Sequence, residues 1–222
     1  MYKKELFRYL DKKYNSHLYT GLLGFLMNQC HKKLENFSNN NKHFNKILEI
    51  GAGSAPHYSY IKHSYNEYHI AETSDYAEDF HKDNPKVKLI KYDGKKLPYE
   101  NQTFDRIIIS HCLEHILSPE EFIQEMMSKL NKGGILSISL PTDPGLAWRL
   151  GRLFIRFFTI KKTYNISGEE FNYMNATEHV NSIFNLISII RFNYKGKFEE
   201  DFYPLKLKMS DINLFYNVHI YK

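Results

Sequence analysis

Three carboxylates, Glu49, Glu72 and Asp93, each close a short apolar run, and two glycines, Gly51 and Gly53, follow the first of them one residue apart. An acid in such a place can accept both hydroxyls of a ribose or face a cationic group. Glycines let the backbone turn tightly and come close to a ligand. Glu49 and Glu72 stand about one βαβ step apart, the spacing at which a ribose-binding acid follows a glycine loop. Asp75 is the weaker alternative for that role. The bland alternatives are an acid that only caps a turn and a strand-to-helix turn that binds nothing. The dinucleotide fingerprint also wants a third glycine, where Ala55 and Pro56 stand instead. Further along, His111 and His179 are imidazoles that can take a proton from an oxygen or nitrogen nucleophile.

The elements that would position these residues follow from the apolar pattern. Lys46 to Ile50 reads as a buried parallel strand, and Ser54 and Pro56 as the cap and first turn of a following helix. Tyr68 to Glu72 is a second strand, and Val87 to Gly94 a third ending in Asp93-Gly94. Phe104 to Ser110 is a fourth. Phe122, Ile123, Met126, Met127 and Leu130 recur at helical spacing from about Pro119. Lys132-Gly133-Gly134 ends that helix in a glycine turn before a fifth strand from Ile135 to Leu140.

In that order, Leu48-Glu49-Ile50-Gly51-Ala52-Gly53, Asp93 with Leu97-Pro98-Tyr99, Phe104-Asp105, Leu113-Glu114-His115 and Leu130-Asn131-Lys132-Gly133-Gly134 resemble the class I S-adenosylmethionine-dependent methyltransferases. The similar group is the ubiquinone-biosynthesis-type, methyltransferase-11-like one. The matching residues run from about 46 to 141.

The resemblance implies an α/β fold: a Rossmann-like, doubly wound, seven-stranded sheet, mostly parallel with an antiparallel last strand. N-terminal helices would precede it, and a helical lid would be inserted after strand five. It implies one domain over 1–222, with a helical cap at 1–40, a cofactor core at 46–141, a lid at 142–178 and closing elements at 180–222. It also carries cofactor roles onto Glu49, Gly51, Ala52 and Gly53 (methionine portion), Glu72 (ribose), Asp93 and Gly94 (adenine), and Ser110 and His111 (facing the cofactor and nucleophile). His115 would support local structure. An acidic site suits a sulfonium with an ammonium group and repels a pyrophosphate, which disfavours the competing nicotinamide-dehydrogenase reading.

At 222 residues the chain can bury one sizeable core. The net charge of +5 is too mild for a nucleic-acid protein. Ser110-His111-Cys112-Leu113 also stands where base-modifying methyltransferases often carry an Asn-Pro-Pro-Tyr-type tetrapeptide. Cys30 and Cys112 fit no disulfide framework, no run is long enough to span a membrane, and Met1 to Glu5 open no signal peptide. Together these predict a cytoplasmic protein. No metal is expected. His111 and His115 are spaced for zinc on a helix face, but no third ligand is evident.

Residues 142–178 should choose the acceptor. Trp148 to Phe158 reads as a basic amphipathic helix, with Arg149, Arg152 and Arg156 on one face and Leu150, Leu153, Phe154, Phe157 and Phe158 on the other. It is expected either as a lid with its apolar face on the core, or as an interfacial helix making peripheral membrane contact or clamping an anionic substrate. The expected activity is methyl transfer to oxygen or nitrogen of a small-molecule, sugar or lipid-linked acceptor, leaving S-adenosylhomocysteine, with His111 and His179 as candidate bases. Glu178 and Tyr173 are candidate helpers. The alternative is an inactive binding or regulatory protein on the same fold.

Overall fold

Strand β1, Phe44–Ile50, is apolar on both faces because it lies inside the sheet. Leu48 and Ile50 join one buried cluster, and Phe44 and Ile47 join the cluster on the opposite side. The computed structural model describes residues 21–38, 42–53, 56–73, 84–159 and 165–222. Around β1 are β2 (Tyr65–Glu72), β3 (Val87–Lys91), β4 (Phe104–Ser110), β5 (Leu130–Pro141), β6 (Phe198–Tyr203) and β7 (Phe215–Tyr221). They form one seven-stranded sheet in the order β3-β2-β1-β4-β5-β7-β6. Strand β7 runs antiparallel to both of its neighbours, and the other pairings are parallel.

The strand order reverses between β1 and β4, which leaves a crevice beyond their carboxyl ends. Register makes those ends level, since Ile50 lies opposite both Ala71 and Ile109. Helices α2 (Pro119–Lys129) and α5 (Ile183–Asn193) cover one face through Phe122, Ile123, Met126, Ile183, Leu186 and Ile190. Helix α1 (Gly21–Leu34) covers the other, with Leu34 on the second cluster and Met27 and Cys30 beside Phe215.

Beneath α1 lies a buried polar knot. The Arg106 guanidinium, on β4, donates to Glu35 at 2.7 Å, to His63 Nε2 at 2.5 Å and to Ser137 Oγ at 3.1 Å. His57 Nε2 meets Glu35 at 3.0 Å. Arg106 and Glu35 are both fully buried.

Two local expectations change. Among the described residues, a 3-10 turn at Pro56–Tyr60 follows the glycine loop in place of the expected α-helix. The cap expected at Ser54 lies outside the described residues, as do Asp75 and the chain before Gly21. The Lys132-Gly133-Gly134 turn sits inside β5 as an irregularity: pairing with β4 jumps from Phe104↔Leu130 to Arg106↔Ile135. A Cβ on Gly134 would come within 2.9 Å of the Asn131 carbonyl, so the strand can fold back there only without a side chain.

The insertion after β5 is helical, with α3 at Leu146–Phe154, a π-helical turn at Ile155–Thr159 and α4 at Gly168–Glu178. However, α3 does not lay its aliphatic stripe on the core. Leu150, Phe154 and Phe157 are 58%, 62% and 72% exposed. The positions facing the sheet are Trp148 and Arg152, one turn apart. Trp148 Nε1 donates to the Leu214 carbonyl at 2.6 Å, and Arg152 pairs with Asp143.

Candidate functional site

The glycine loop begins where β1 ends. Gly51 and Gly53 have φ of +63° and +54°, a backbone region that L side chains rarely adopt. The Gly51 N–H donates to the Ala71 carbonyl at 2.9 Å, and a Cβ there would strike Cys112 Sγ and approach Cys112 Cβ to 2.8 Å. At Gly53 a Cβ would meet nothing within 4 Å, so the loop faces open space. Ala52 between them is buried.

Glu72 closes the loop against β2. One of its carboxylate oxygens accepts from the Gly53 N–H and the other from the Thr73 N–H, each at 2.7 Å. A carboxylate oxygen can accept more than one hydrogen bond, so both remain suited to ribose hydroxyls. Gly94 packs beside Thr73 Cγ2, which sets the loop after β3 next to the end of β2. Asp93 is exposed and accepts from the Lys95 N–H at 2.9 Å, which holds its carboxyl below its usual pKa. Glu49 is buried. Its carboxylate accepts from Tyr68 Oη at 2.5 Å, and burial raises its pKa. Ser110 Oγ, at the end of β4, is buried without a hydrogen-bond partner among the described residues. An open glycine loop, a carboxylate at the next strand end and this orphaned hydroxyl fit a nucleoside carrying an amino acid.

His111 turns the chain sharply after β4 with φ of +51°. Its Nε2 is 3.6 Å from Cys30 Sγ, and its ring packs against Phe215. Burial lowers its pKa to about 3, so it is neutral near pH 7 and weak as a base. Burial likewise pushes the Cys112 thiol up to about 12, which removes it as a nucleophile.

His179 is brought to the same end of the sheet by the segment between α4 and α5. The Asn181 N–H donates to the Glu114 carbonyl at 3.1 Å, and Asn181 Nδ2 to the Ile116 carbonyl at 2.5 Å. Ser182 then caps α5, which therefore starts at Ile183. His179 Nδ1–H donates to Asp143 Oδ2 at 2.6 Å. Burial alone would raise the Asp143 pKa, but His179 and Arg152 more than offset it and hold the carboxyl below its usual value.

His115 donates from Nδ1 to the Glu178 carbonyl at 2.8 Å, and its ring lies 5.1 Å from that of His179. Glu114 is buried, and burial pushes its carboxyl up to about 7. Its Oε1 is 3.9 Å from both His111 Nδ1 and His115 Nε2, while its Oε2 has no hydrogen-bond partner among the described residues.

The sequence-derived residues thus fall into two groups: Gly51, Gly53, Glu72 and Gly94 around the loop, and His111 and His179 at the far side. Asp143, and the convergence of Glu114 and His115 on His179, were missed. The i, i+4 pair His111 and His115 does not share a helix face, because His111 stands before the 3-10 turn Leu113–His115. No local pattern could have paired His115 with His179, since their proximity depends on how Asn181 docks.

A family model described as a methyltransferase domain matches residues 22–191. The chain belongs to that family. It is a methyltransferase, and its fold is that of the class I enzymes. An S-adenosylmethionine-dependent methyltransferase from Thermotoga maritima superposes with a TM-score of 0.64 at 17% identity, covering 98% of this chain and 99% of that one. The plantazolicin methyltransferase BpumL, solved with a monoazolic desmethyl plantazolicin analogue and S-adenosylhomocysteine, gives 0.65 at 14% identity, covering 97% and 89%. A methyltransferase from Aquifex aeolicus gives 0.53 at 16% identity, covering 86% and 88%. No curated protein sequence matches the chain. Among the described residues, no helix is long and apolar enough to cross a membrane.

Proposed function

We propose that this methyltransferase acts on an oxygen or nitrogen of a small-molecule, sugar or lipid-linked acceptor that enters beneath α3 and α4. The observation that carries the site assignment is the levelling of Gly51, Gly53, Glu72 and the unpartnered Ser110 Oγ along one sheet edge. Gly51, Ala52 and Gly53 would hold the donor's methionine portion, with Glu49 on its ammonium side. Glu72 would take the ribose, Asp93 and Gly94 the adenine, and Ser110 and His111 would face the reacting end. Bound S-adenosylmethionine supplies a methyl group made electrophilic by its sulfonium. The protein positions the acceptor and excludes water from the crevice.

Of the two histidines, His179 has the better case as proton acceptor. Asp143 fixes its tautomer, which leaves the other ring nitrogen with a lone pair. His111 is too weak a base and serves as a wall of the donor site.

The exposed Leu150, Leu153, Phe154 and Phe157, with Arg149 beside them, support the lipid-linked form of the acceptor and peripheral contact with the inner face of a membrane by a cytoplasmic protein. Flotation with anionic vesicles tests that contact: loss of binding on Leu150→Ser with Phe154→Ser is expected, and no binding by the wild type would refute it. The alternative, an inactive protein on the same fold, is disfavoured by the intact glycine loop and Glu72.

The deciding experiment is calorimetric titration of S-adenosylmethionine and S-adenosylhomocysteine. Micromolar binding that Glu72→Gln and Asp93→Ala weaken is expected. Absence of binding by folded wild type would overturn the site assignment.

A further inference from the structure

Glu114, His115 and His179 each offer one ligand atom that lies within 4.8 Å of the others. We propose that these three side chains bind a divalent first-row transition cation, with zinc as the reference ion, at the acceptor side of the crevice. The inference rests on the methyltransferase reading of the site and deepens it, because it gives the lone pair of His179 to a cation instead of to the acceptor's proton.

Two independent observations meet here. The first is the set of partners outside the cluster. His115 spends its Nδ1–H on the Glu178 carbonyl and His179 spends its own on Asp143. Metal-bound imidazoles are oriented in this way, with the second nitrogen donating to a carbonyl or carboxylate that fixes the tautomer and raises ligand basicity. The second is Glu114, only 3% exposed, whose Oε2 has no hydrogen-bond partner among the described residues and whose Oε1 comes no nearer than 3.9 Å to either neighbouring imidazole. A buried carboxylate oxygen left without a hydrogen bond is costly, and a cation between it and two imidazoles satisfies it.

Two nitrogens and one carboxylate oxygen form a set suited to zinc, cobalt or iron, whereas magnesium and calcium prefer all-oxygen cages. In a tetrahedral zinc site, ligand atoms lie about 3.4 Å apart, so the trio would close by roughly 1 Å around the ion. Three protein ligands leave a fourth position open. An acceptor hydroxyl or amine coordinated there would lose its proton to solvent more readily, which replaces a dedicated base.

The test uses the full chain stripped with chelator, titrated with Zn²⁺ by calorimetry and with Co²⁺ by visible absorption, and with S-adenosylhomocysteine in the same samples. One Zn²⁺ per chain is expected, with Co²⁺ bands of a tetrahedral site. Affinity should fall at least 10-fold in His179→Gln and in Glu114→Gln, and 10- to 100-fold in Asp143→Asn. The distant, exposed His43→Ala should leave affinity unchanged and reports adventitious surface binding. Thermal unfolding confirms that each variant is folded, and His179→Gln stands in should Glu114→Gln fail. The proposal is overturned if the wild type binds no stoichiometric Zn²⁺, or if folded His179→Gln binds it as tightly. Homocysteine-adduct binding without zinc binding would sink this inference alone, and zinc binding without the adduct would sink the donor-site reading alone.

Discussion

Replacing Arg106 by methionine keeps much of the side chain's length and removes the guanidinium that faces a fully buried Glu35 across 2.7 Å. The Glu35 carboxylate would retain His57 at 3.0 Å and the Lys62 N–H at 3.4 Å. It would lose its full countercharge inside a low-dielectric interior. Breaking a buried pair from one side costs about 3–5 kcal/mol. For a chain of this size, each kcal/mol moves the melting temperature by roughly 2–4 °C. Arg106→Met should therefore lower it by about 6–20 °C. The second arm of the cycle, Arg106→Met with Glu35→Gln, removes the stranded charge and should recover most of that loss, since the neutral amide still accepts from His57. The assay is thermal and urea unfolding of wild type, both single variants and the double variant. A double variant as unstable as the sum of the two singles would refute the argument, because it would show that Arg106 and Glu35 do not act as a pair.

Three further outcomes follow from the same structure. Gly51→Ala combines left-handed backbone strain of about 1–2 kcal/mol with a collision against Cys112 of about 1–3 kcal/mol. It should lower both melting temperature and S-adenosylhomocysteine affinity in calorimetry, and an unchanged affinity would separate the loop from the donor site. Stability should fall as pH drops below about 6.5. His63 and His219 titrate at about 4 and about 3 when folded because burial disfavours their charged forms. The unfolded chain therefore binds their protons first, and the stability they give is complete above about 6.5 and lost towards those folded values. Glu114, raised to about 7, works in the opposite sense, but the lowered histidines, which include His31 and His111, outnumber it and Glu49. Each net proton contributes a slope of about 1.4 kcal/mol per pH unit, to be read from urea midpoints between pH 5 and 8. Ser167→Ala removes the capping box that joins Ser167 Oγ to the Glu170 N–H at 3.1 Å. It should cost about 0.5–2 kcal/mol, seen as faster proteolysis of α4 with little change in the melting of the sheet.

The sheet was legible because parallel strands buried on both faces must be written in runs such as Ile47 to Ile50 and Arg106 to Ile109, broken by glycines and acids where they emerge. Glu49, Glu72 and Asp93 stood out for the same reason, as they fall at or just past strand ends. The stripe of α3 misled, because amphipathicity reports that a face is apolar and not what covers it. There Trp148 and Arg152 hold the helix down through a carbonyl and a carboxylate. The short connection after Gly53 also escaped the pattern, since Pro56 opens an α-helix and a 3-10 turn equally well. Asp143 and His179 were least legible as a pair: their hydrogen bond joins the end of β5 to the start of the last helix, and no sequence period spans that gap.

Helix α1 is held by the Glu35 knot just past its carboxyl end and also along its body, where Asn28 Oδ1 accepts from Tyr60 Oη at 2.6 Å and Met27 and Cys30 pack beside Phe215. Cys30, little more than one helical turn from Glu35, touches both Ser139 and His111. The knot and the wall of the crevice are therefore bolted to one rigid segment, and whatever loosens Glu35 is felt at His111.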